Sequence, residues 1–472
     1  MSVEEGEPVR KAMSCRHRGA VAALMVAGAV LALGACGSDS SSSSSASSAA
    51  SASSSPSASS ASSASSSPTP SQSSVSTSGA GASTAPSAAP ATKSPVLIGA
   101  LVDLTGSAKG DRDRLAKVLP AWAKFVNAHG GLGGHPVQLD IHDTTSDAAT
   151  AQSEATALIA KQPVAIYLDS SATESAIAES LGKSGIPIVG VGYSPAVWGA
   201  KLTSLGVNCD PSGKPVPCAL PNAFTLATTF GAVIDMSAVA AKEAGATKVA
   251  MVACAEIDSC SSAEPEFQAT VKALGMQYEG LIKVSSSAPD YTAQCIQLIQ
   301  DKVDYVFTAI QEEGTVKLWN SCAEQGFEGK FVSSTSAICC NLLKIDKLRL
   351  VGSLNAFPWF VDDAPVKQFR DAMTAGGLSA DDYSSSTATG AWSALQLVAK
   401  ASATLPDSPT KADVLNGLYS LKDETLDGLL PPVTFTRGQP APPRNCFWLL
   451  SYEDQKLANP LGGLKYSCYP KQ

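Results

Sequence analysis

Short runs of apolar and β-branched residues alternate with longer helical patterns along most of this chain, beginning at Val96. Residues 96–102 are typical of a buried strand, and apolar residues then recur at helical spacing over 115–126. The alternation restarts after a Pro-rich segment at 211–221. A regular strand–helix order is typical of a parallel sheet with helices on both faces. The two runs therefore predict two doubly wound α/β lobes that meet near residue 222.

The pattern predicts individual elements over most of residues 96–452. The predicted strands cover 96–102, 137–141, 164–168, 186–191, 249–253, 278–284, 305–310 and 331–332, and a C-terminal hairpin has strands near 432–436 and 446–452. The predicted helices cover 115–126, 148–161 with Asp147 as its cap, 173–183, 229–244, 264–274, 290–301, 314–325, 387–403 and 410–421. Open α/β sheets bind ligands at the carboxyl ends of their strands, so two facing lobes predict a ligand cleft.

The N-terminus has the pattern of a bacterial lipoprotein signal peptide, predicted over residues 1–36. Arg and Lys residues precede an apolar stretch of about 15 residues, which is short for a membrane span and typical of a secretory signal. The stretch ends in Leu33-Gly34-Ala35-Cys36, which resembles a lipobox. We expect Cys36 to be acylated and to anchor the protein on the extracytoplasmic face of the bacterial cell membrane.

Residues 37–94 are predicted to be a disordered linker. Of the 41 residues from Ser38 to Ser78, 26 are serine, and residues 40–92 contain no charged side chain. Such a segment buries too little apolar surface to offset the entropy of ordering it.

The whole chain is acidic, with a net charge of −8 over 472 residues, and the folded body contains no basic cluster. These features argue against nucleic acid as a partner.

The cysteines favour disulfides over a metal site. Besides Cys15 and Cys36, ten of the twelve remain, an even number in a chain predicted to be exported. No CxxC pair occurs, so zinc has little support. The candidate disulfide cysteines are Cys209 with Cys218, Cys254 with Cys260, Cys295 with Cys322, Cys446 with Cys468, and the adjacent Cys339 and Cys340.

Several motifs together resemble type I periplasmic substrate-binding proteins of ABC transporters, in particular the branched-chain amino acid (Leu/Ile/Val)-binding class. The most specific is Asn127-Ala128-His129-Gly130-Gly131-Leu132-Gly133-Gly134. The others are Ile98-Gly99-Ala100, Leu104-Thr105-Gly106, Asp143, Gly185-Ile186-Pro187-Ile188-Val189 and Cys322-Ala323-Glu324-Gln325-Gly326-Phe327. The resemblance covers about residues 95–455. It implies a receptor that closes on a small polar ligand and delivers it to an ABC permease.

The resemblance also implies the domain order and the ligand contacts. A three-crossover hinge would join lobe 1, residues 95–222 plus 352–430, to lobe 2, residues 223–351 plus 431–472. The ligand would be an amino acid or a related carboxylate or amide. The ligand-binding residues implied for lobe 1 are Thr105, Ser107, Ser170, Ser171, Thr173, Tyr193 and Ser194. At the position where amino-acid binders of this class place an acid for the ammonium group, this chain has 334–336 (Ser-Thr-Ser), so the candidates in lobe 2 are Glu256, Gln311 and Glu312.

Other functions have weaker support in the sequence. The segment 192–196 approaches the nucleophile elbow of hydrolases, but Pro195 lacks the N–H that an oxyanion hole needs and no histidine follows His142. No catalytic residue, cofactor or metal is expected, and His129, His135 and His142 are taken as solvated. We expect a monomer that is not an enzyme. A ligand-binding sensor or cell-surface adhesion lipoprotein with the same bilobed fold remains the alternative.

Overall fold

The computed structural model describes residues 91–191, 197, 220–226, 230–255, 261, 263–285, 287–333, 338, 341–437, 441–442 and 444–469. All of them belong to one compact unit, Ala82–Gln472. The predicted signal peptide with Cys36 and the predicted linker up to residue 90 lie outside the described residues. No helix within the described ranges is both long enough and apolar enough to cross a membrane.

Strands and helices alternate as the sequence predicts. The strands are β1 Val96–Val102, β2 Val137–Asp143, β3 Ala165–Asp169, β4 Ile188–Gly190, β5 Ala223–Thr225, β6 Lys248–Cys254, β7 Gln277–Val284, β8 Tyr305–Ala309, β9 Lys330–Ser333, β10 Leu350–Leu354, β11 Cys446–Glu453, β12 Lys456–Ala458 and β13 Ser467–Cys468. The helices are α1 Leu115–Ala128, α2 Ala148–Ala160, α3 Glu174–Ser184, α4 Phe230–Glu243, α5 Glu264–Ala273, α6 Thr292–Gln300, α7 Glu312–Glu324, α8 Ala364–Ala375, α9 Ala380–Tyr383, α10 Ser386–Ala401 and α11 Lys411–Ser420.

The first sheet contains five parallel strands in the order β2-β1-β3-β4-β5. Helices cover both of its faces, as a doubly wound sheet requires. On one face the buried indoles of Trp122 and Trp392 belong to the core, and on the other Leu158 and Ile177 pack against Ile166. The α/β fold with two wound sheets is therefore confirmed.

The second sheet has eight strands, in the order β12-β11-β10-β9-β8-β6-β7, with β13 paired to β11. Its strands are parallel from β7 to β10, and β11 then runs antiparallel to β10. The C-terminal hairpin is formed by β11 and β12, so the strand predicted near 432–436 is wrong. Val433 makes only an isolated bridge to Glu424, and the hydroxyl of Thr434 receives the N–H of Asp423 at 2.8 Å. This segment begins with Pro432, directly after Pro431, and prolines cannot donate a hydrogen bond to a sheet.

The strands of the two sheets show where the chain passes from one sheet to the other. Strand β5 lies in the first sheet, just after the predicted boundary at 222, and β10 lies in the second sheet, across the predicted boundary at 351. Helices α8 and α10 then return to pack against α1 of the first sheet. The division into lobes 95–222 plus 352–430 and 223–351 plus 431–472 stays a prediction.

The glycine motif at the end of α1 forms a tight turn, and its first residue, Asn127, bonds to the start of β2. The side-chain amide of Asn127 donates to the carbonyl of Val137 at 3.0 Å, and its oxygen accepts the N–H of Val137 at 2.7 Å. Gly131 has φ +66°, and a Cβ there would lie 2.1 Å from the carbonyl oxygen of His135. Only glycine fits such a position, because L residues disfavour positive φ and the space is filled.

Two predicted disulfides are present. Cys295–Cys322 joins α6 to α7, and Cys446–Cys468 joins β11 to β13. Cys254 is also disulfide-bonded. The remaining candidates, Cys209, Cys218, Cys260, Cys339 and Cys340, lie outside the described residues.

Candidate functional site

The register of the first sheet brings three loops together at one edge. Val102 of β1 pairs with Asp143 of β2 and with Asp169 of β3, so these three strands end at the same level. The next residues along the chain are Asp103, Thr144 and Ser170. This edge is where open α/β sheets bind their ligands, and it is also where the sequence places its lobe 1 candidates.

Asp103 lies at the centre of this edge and is fully buried. Its carboxyl group accepts hydrogen bonds from the hydroxyl of Thr144 at 2.5 Å and from the hydroxyl of Ser170 at 2.7 Å. The backbone N–H of Ala172 approaches the other carboxyl oxygen at 3.4 Å. Asp103 therefore joins the loops after β1, β2 and β3.

Asp169, the last residue of β3, forms an ion pair with Arg112. Its carboxylate is 2% exposed and lies 2.6 Å from Nε of Arg112, whose side chain is 13% exposed. The hydroxyl of Tyr167 donates to the same carboxylate at 3.2 Å. Burial, together with the charge of Asp169, raises the pKa of Tyr167 well above its ordinary value. This pair neutralises the carboxylate of Asp169; Asp103 and Glu174 are the other buried acids beside the loop 170–173.

Asp143 fixes the loop after β1 from the neighbouring strand. It accepts the N–H groups of Leu104 at 3.0 Å and Thr105 at 3.2 Å, and the hydroxyl of Thr105 at 2.6 Å. Burial alone would raise the pKa of Asp143, but these hydrogen bonds outweigh it and the pKa lies below its ordinary value. Gly106, with φ +90°, allows the two loops to touch, because a Cβ there would lie 2.0 Å from the carbonyl oxygen of Thr145.

The candidates of lobe 1 fall into two groups. Thr105, Ser107 and Ser171 are exposed, whereas Ser170 and Thr173 are buried. The Ser170 hydroxyl contacts Asp103, Thr144 and Thr173. These two buried hydroxyls hold the loop, and Ser171 is the member of the loop with an exposed hydroxyl. Tyr193 and Ser194 lie outside the described residues.

The candidates of lobe 2 lie after β8 of the second sheet. Gln311 is exposed and precedes the first residue of α7. Glu312 uses one carboxylate oxygen to accept the N–H groups of Asn341 at 2.7 Å and Leu342 at 3.0 Å. Glu312 therefore caps the short helical turn Leu342–Lys344. Glu256 lies outside the described residues.

The three described histidines each contact a neighbouring protein group. Nδ1 of His135 faces the carbonyl oxygen of Ser94 at 2.7 Å, and Nε2 faces that of Pro406 at 2.9 Å. The ring is fully buried, so the expectation that His135 is solvated is wrong. Its neighbours are the chain before β1 and the loop after α10. Within the ranges described above, no group of three or more His, Cys, Asp or Glu side chains is suited to a metal ion.

Three residues of this edge were missed from the sequence: Asp103, Thr144 and Arg112. Asp103 and Thr144 are each the first residue after a buried strand, so their positions at the ligand-binding edge follow from the predicted strands. The ion pair of Arg112 with Asp169 spans 57 residues, and nothing in the local pattern indicates it.

The model for the family described as periplasmic binding protein matches residues 95–456. The chain belongs to this family. The family is one of substrate-binding receptors, and type I proteins of ABC transporters are among the solved structures that this chain resembles. No curated protein sequence matches the chain with significance.

Solved structures resemble the chain over nearly their whole length. A fatty acid ABC transporter substrate-binding protein from Thermomonospora curvata has 18% identity and a TM-score of 0.60, over 79% of this chain and 93% of that one. A solute-binding protein from R. palustris in complex with 4-hydroxybenzoate has 17% identity and a TM-score of 0.59, over 79% and 97%. The branched-chain amino acid transporter substrate-binding protein of Streptococcus pneumoniae with isoleucine has 17% identity and a TM-score of 0.58, over 77% and 97%. At these identities the likeness establishes the fold.

Proposed function

We propose that this protein is an extracytoplasmic solute receptor that binds a small polar ligand between its two sheets and delivers it to an ABC permease. The ligand is an amino acid or a related carboxylate or amide. The observation that carries the proposal is the ordered edge of the first sheet, where three loops meet at the ligand-binding end of a fold whose family consists of receptors.

The mechanism is closure of the two lobes around the ligand. Thr105, Ser107 and Ser171 would contact the ligand from the first lobe and Gln311 from the second. Tyr193, Ser194 and Glu256 stay candidates from the sequence. Ser170 and Thr173 would hold the loop without contacting the ligand, because both side chains are buried and their hydroxyls bond to neighbouring side chains.

Cellular placement rests on the N-terminal sequence. A lipidated Cys36, followed by a linker whose residues 40–92 carry no charge, would hold the receptor beside its permease on the extracytoplasmic face of the membrane. A tether raises the local concentration of the receptor at the permease without an extra contact. The receptor acts as a monomer and needs no cofactor.

Titration calorimetry on the purified chain tests the site. Replacing Ser171 and Thr173 by Ala should weaken binding of isoleucine, isoleucinamide, benzoate or benzamide, whichever the wild type binds, by at least about tenfold. Ser171 would lose its hydrogen bond to the ligand and Thr173 the contact with Ser170 that holds the loop, and each lost bond is worth about 1 kcal/mol. Ser180→Ala is the matched control on α3, because the Ser180 hydroxyl donates to the carbonyl of Ile177 at 2.9 Å, away from the loop. Unchanged affinity in the double variant would exclude this loop as the binding site. A wild type that binds none of the four contradicts the receptor function and favours a sensor or adhesion role.

A further inference from the structure

The loop 170–173 already contacts a carboxyl group of the protein itself. Asp103 is fully buried and accepts the hydroxyls of Thr144 and Ser170, with the N–H of Ala172 at 3.4 Å. A helix N-terminus with free donors attracts anionic ligands. Here Asp103 contacts Ser170 and Ala172, directly before Thr173, the N-cap residue of α3.

Few donors of this loop remain for a ligand. The N–H groups of Thr173 and Glu174 both bond to the carbonyl oxygen of Ser170, each at 3.0 Å. The hydroxyl of Thr173 contacts that of Ser170. Ser171 is exposed and has no hydrogen bond to any residue in the described part of the chain. A ligand group at this loop therefore meets one serine in front of a buried carboxylate.

Asp103 differs from Asp169 in its charged neighbours. Asp169 has Arg112 at 2.6 Å, whereas the described residues place no basic side chain against Asp103. A buried charge is poorly screened, so its field extends to groups several ångströms away. A ligand carboxylate docked on Ser171 would be repelled by it, and an amide or ammonium group would not.

We propose that Asp103 sets the charge selectivity of the ligand site, so that the ligand group docked on loop 170–173 is neutral or cationic and not a carboxylate. This inference rests on the proposed function, because it takes loop 170–173 as part of the ligand site. Asp103 is a positioning and selectivity residue, since it acts through Ser170 and Ala172 and through its field. The ligand class it favours is an amide or an amine.

Acid and amide pairs of equal shape test the proposal. Affinities of the purified chain are measured for benzoate against benzamide and for isoleucine against isoleucinamide, in the wild type and in Asp103→Asn. The wild type should prefer the amide of a pair by about tenfold or more, as expected for two like charges within about 7 Å at a protein's effective dielectric constant. Asp103→Asn should reduce that preference by about the same factor. A purely structural role would weaken acid and amide alike.

Two further variants separate charge from geometry. Asp413→Asn is the control, because Asp413 is another acid near the start of a helix, accepting the N–H of Thr410 at 2.8 Å and its hydroxyl at 2.7 Å. It lies beside Lys411, which bonds to Ser184 at the far end of α3, roughly 16 Å from the loop by the length of that helix. It should leave the acid–amide ratio unchanged. Ser170→Ala keeps the charge of Asp103 and should weaken both members of a pair equally.

The outcomes distinguish this inference from the proposed function. The inference is overturned if the wild type binds an acid at least as tightly as its amide and Asp103→Asn does not change the ratio of the two affinities. That result leaves the receptor function intact. Binding of neither member of either pair contradicts the receptor itself. If Asp103→Asn does not fold, the amide preference is compared between the wild type and Ser170→Ala instead. Loss of the amide preference in Ser170→Ala, which keeps Asp103, overturns the role of the charge.

Discussion

Asp235 makes the stability of this protein depend on pH in an unusual direction. It lies on α4, where its carboxylate accepts the hydroxyl of Thr270 from α5. Burial, reinforced by the charge of Glu266 and opposed by the Thr270 hydrogen bond, raises the pKa of Asp235 from 3.8 to about 6. One carboxylate oxygen of Glu266 is buried without a hydrogen-bond partner among the described residues. The charge of Glu266 therefore adds to the cost of ionising Asp235 in this poorly solvated region.

The sign of the effect follows from the direction of the shift. A carboxyl group whose pKa is higher in the folded than in the unfolded chain makes the folded chain bind the proton more tightly. Its favourable contribution is complete below about pH 3.8 and is lost as the pH rises to about 6. The full shift corresponds to about 3 kcal/mol. Because Asp235 is only half-buried, solvent screening reduces our expectation to about 1.5 kcal/mol.

Asp235→Asn should remove this dependence. The amide oxygen still accepts the Thr270 hydroxyl, so we expect the variant to gain about 1.5 kcal/mol relative to the wild type between pH 4 and pH 7.5. Urea unfolding at both pH values, followed by circular dichroism, measures it. Thr270→Ser keeps the donor and should change stability equally at both pH values, whereas Glu266→Gln should lower the pKa of Asp235 and weaken the pH dependence. A wild-type-to-variant difference that is the same at pH 4 and pH 7.5 would refute the reasoning.

Three other predictions concern anchoring, the disulfide and the loop. Cys36→Ala should release the protein into the medium or leave its signal uncleaved, as a membrane fractionation would detect; unaltered anchoring rejects the lipobox. Replacing Cys295 and Cys322 by Ser opens a loop with a sequence separation of 27 and should cost about 3.5 kcal/mol in the free energy of unfolding; a loss below about 1 kcal/mol in urea unfolding contradicts this. Gly106→Ala should weaken ligand binding by about tenfold or more, because the new Cβ would displace Thr145 and with it the loop; calorimetry showing wild-type affinity rejects the coupling of the two loops.

The elements that the sequence predicts well are those with a strong local signal. Strand β1 has the predicted bounds, Val96–Val102, because seven apolar or small residues are followed at once by a polar turn. The N–H of Thr150 donates to the predicted cap Asp147 at 2.8 Å, as a side-chain cap before a helical pattern should. Helix α8 and strand β10 were not predicted. Strand β10 contains Gly352, which weakens a strand signal but is needed because a Cβ there would lie 2.5 Å from the side chain of Ile338.

The candidate site could be predicted by position but not by the direction of its hydroxyls. The sequence places Ser170, Ser171 and Thr173 in the loop after β3, where the structure also has them. It does not indicate that Ser170 and Thr173 face inwards, because that depends on a carboxylate 67 residues away along the chain. Local patterns specify helices, strands and caps, whereas the pairing of buried polar groups is decided only when the strands are in register.

The most direct test of the receptor is a thermal-shift measurement on the purified chain, unfolded and refolded to remove any bound ligand. Isoleucine, isoleucinamide, benzoate and benzamide are compared. A ligand at 100 times its Kd adds about 2.7 kcal/mol of stability, and for a folded body of roughly 375 residues this should raise the Tm by roughly 3 °C. We predict such a rise with at least one amide or amine, and a smaller rise in Ser171→Ala at the same concentration. A Tm that none of the four compounds raises would contradict the assignment of this protein as a receptor for small polar solutes.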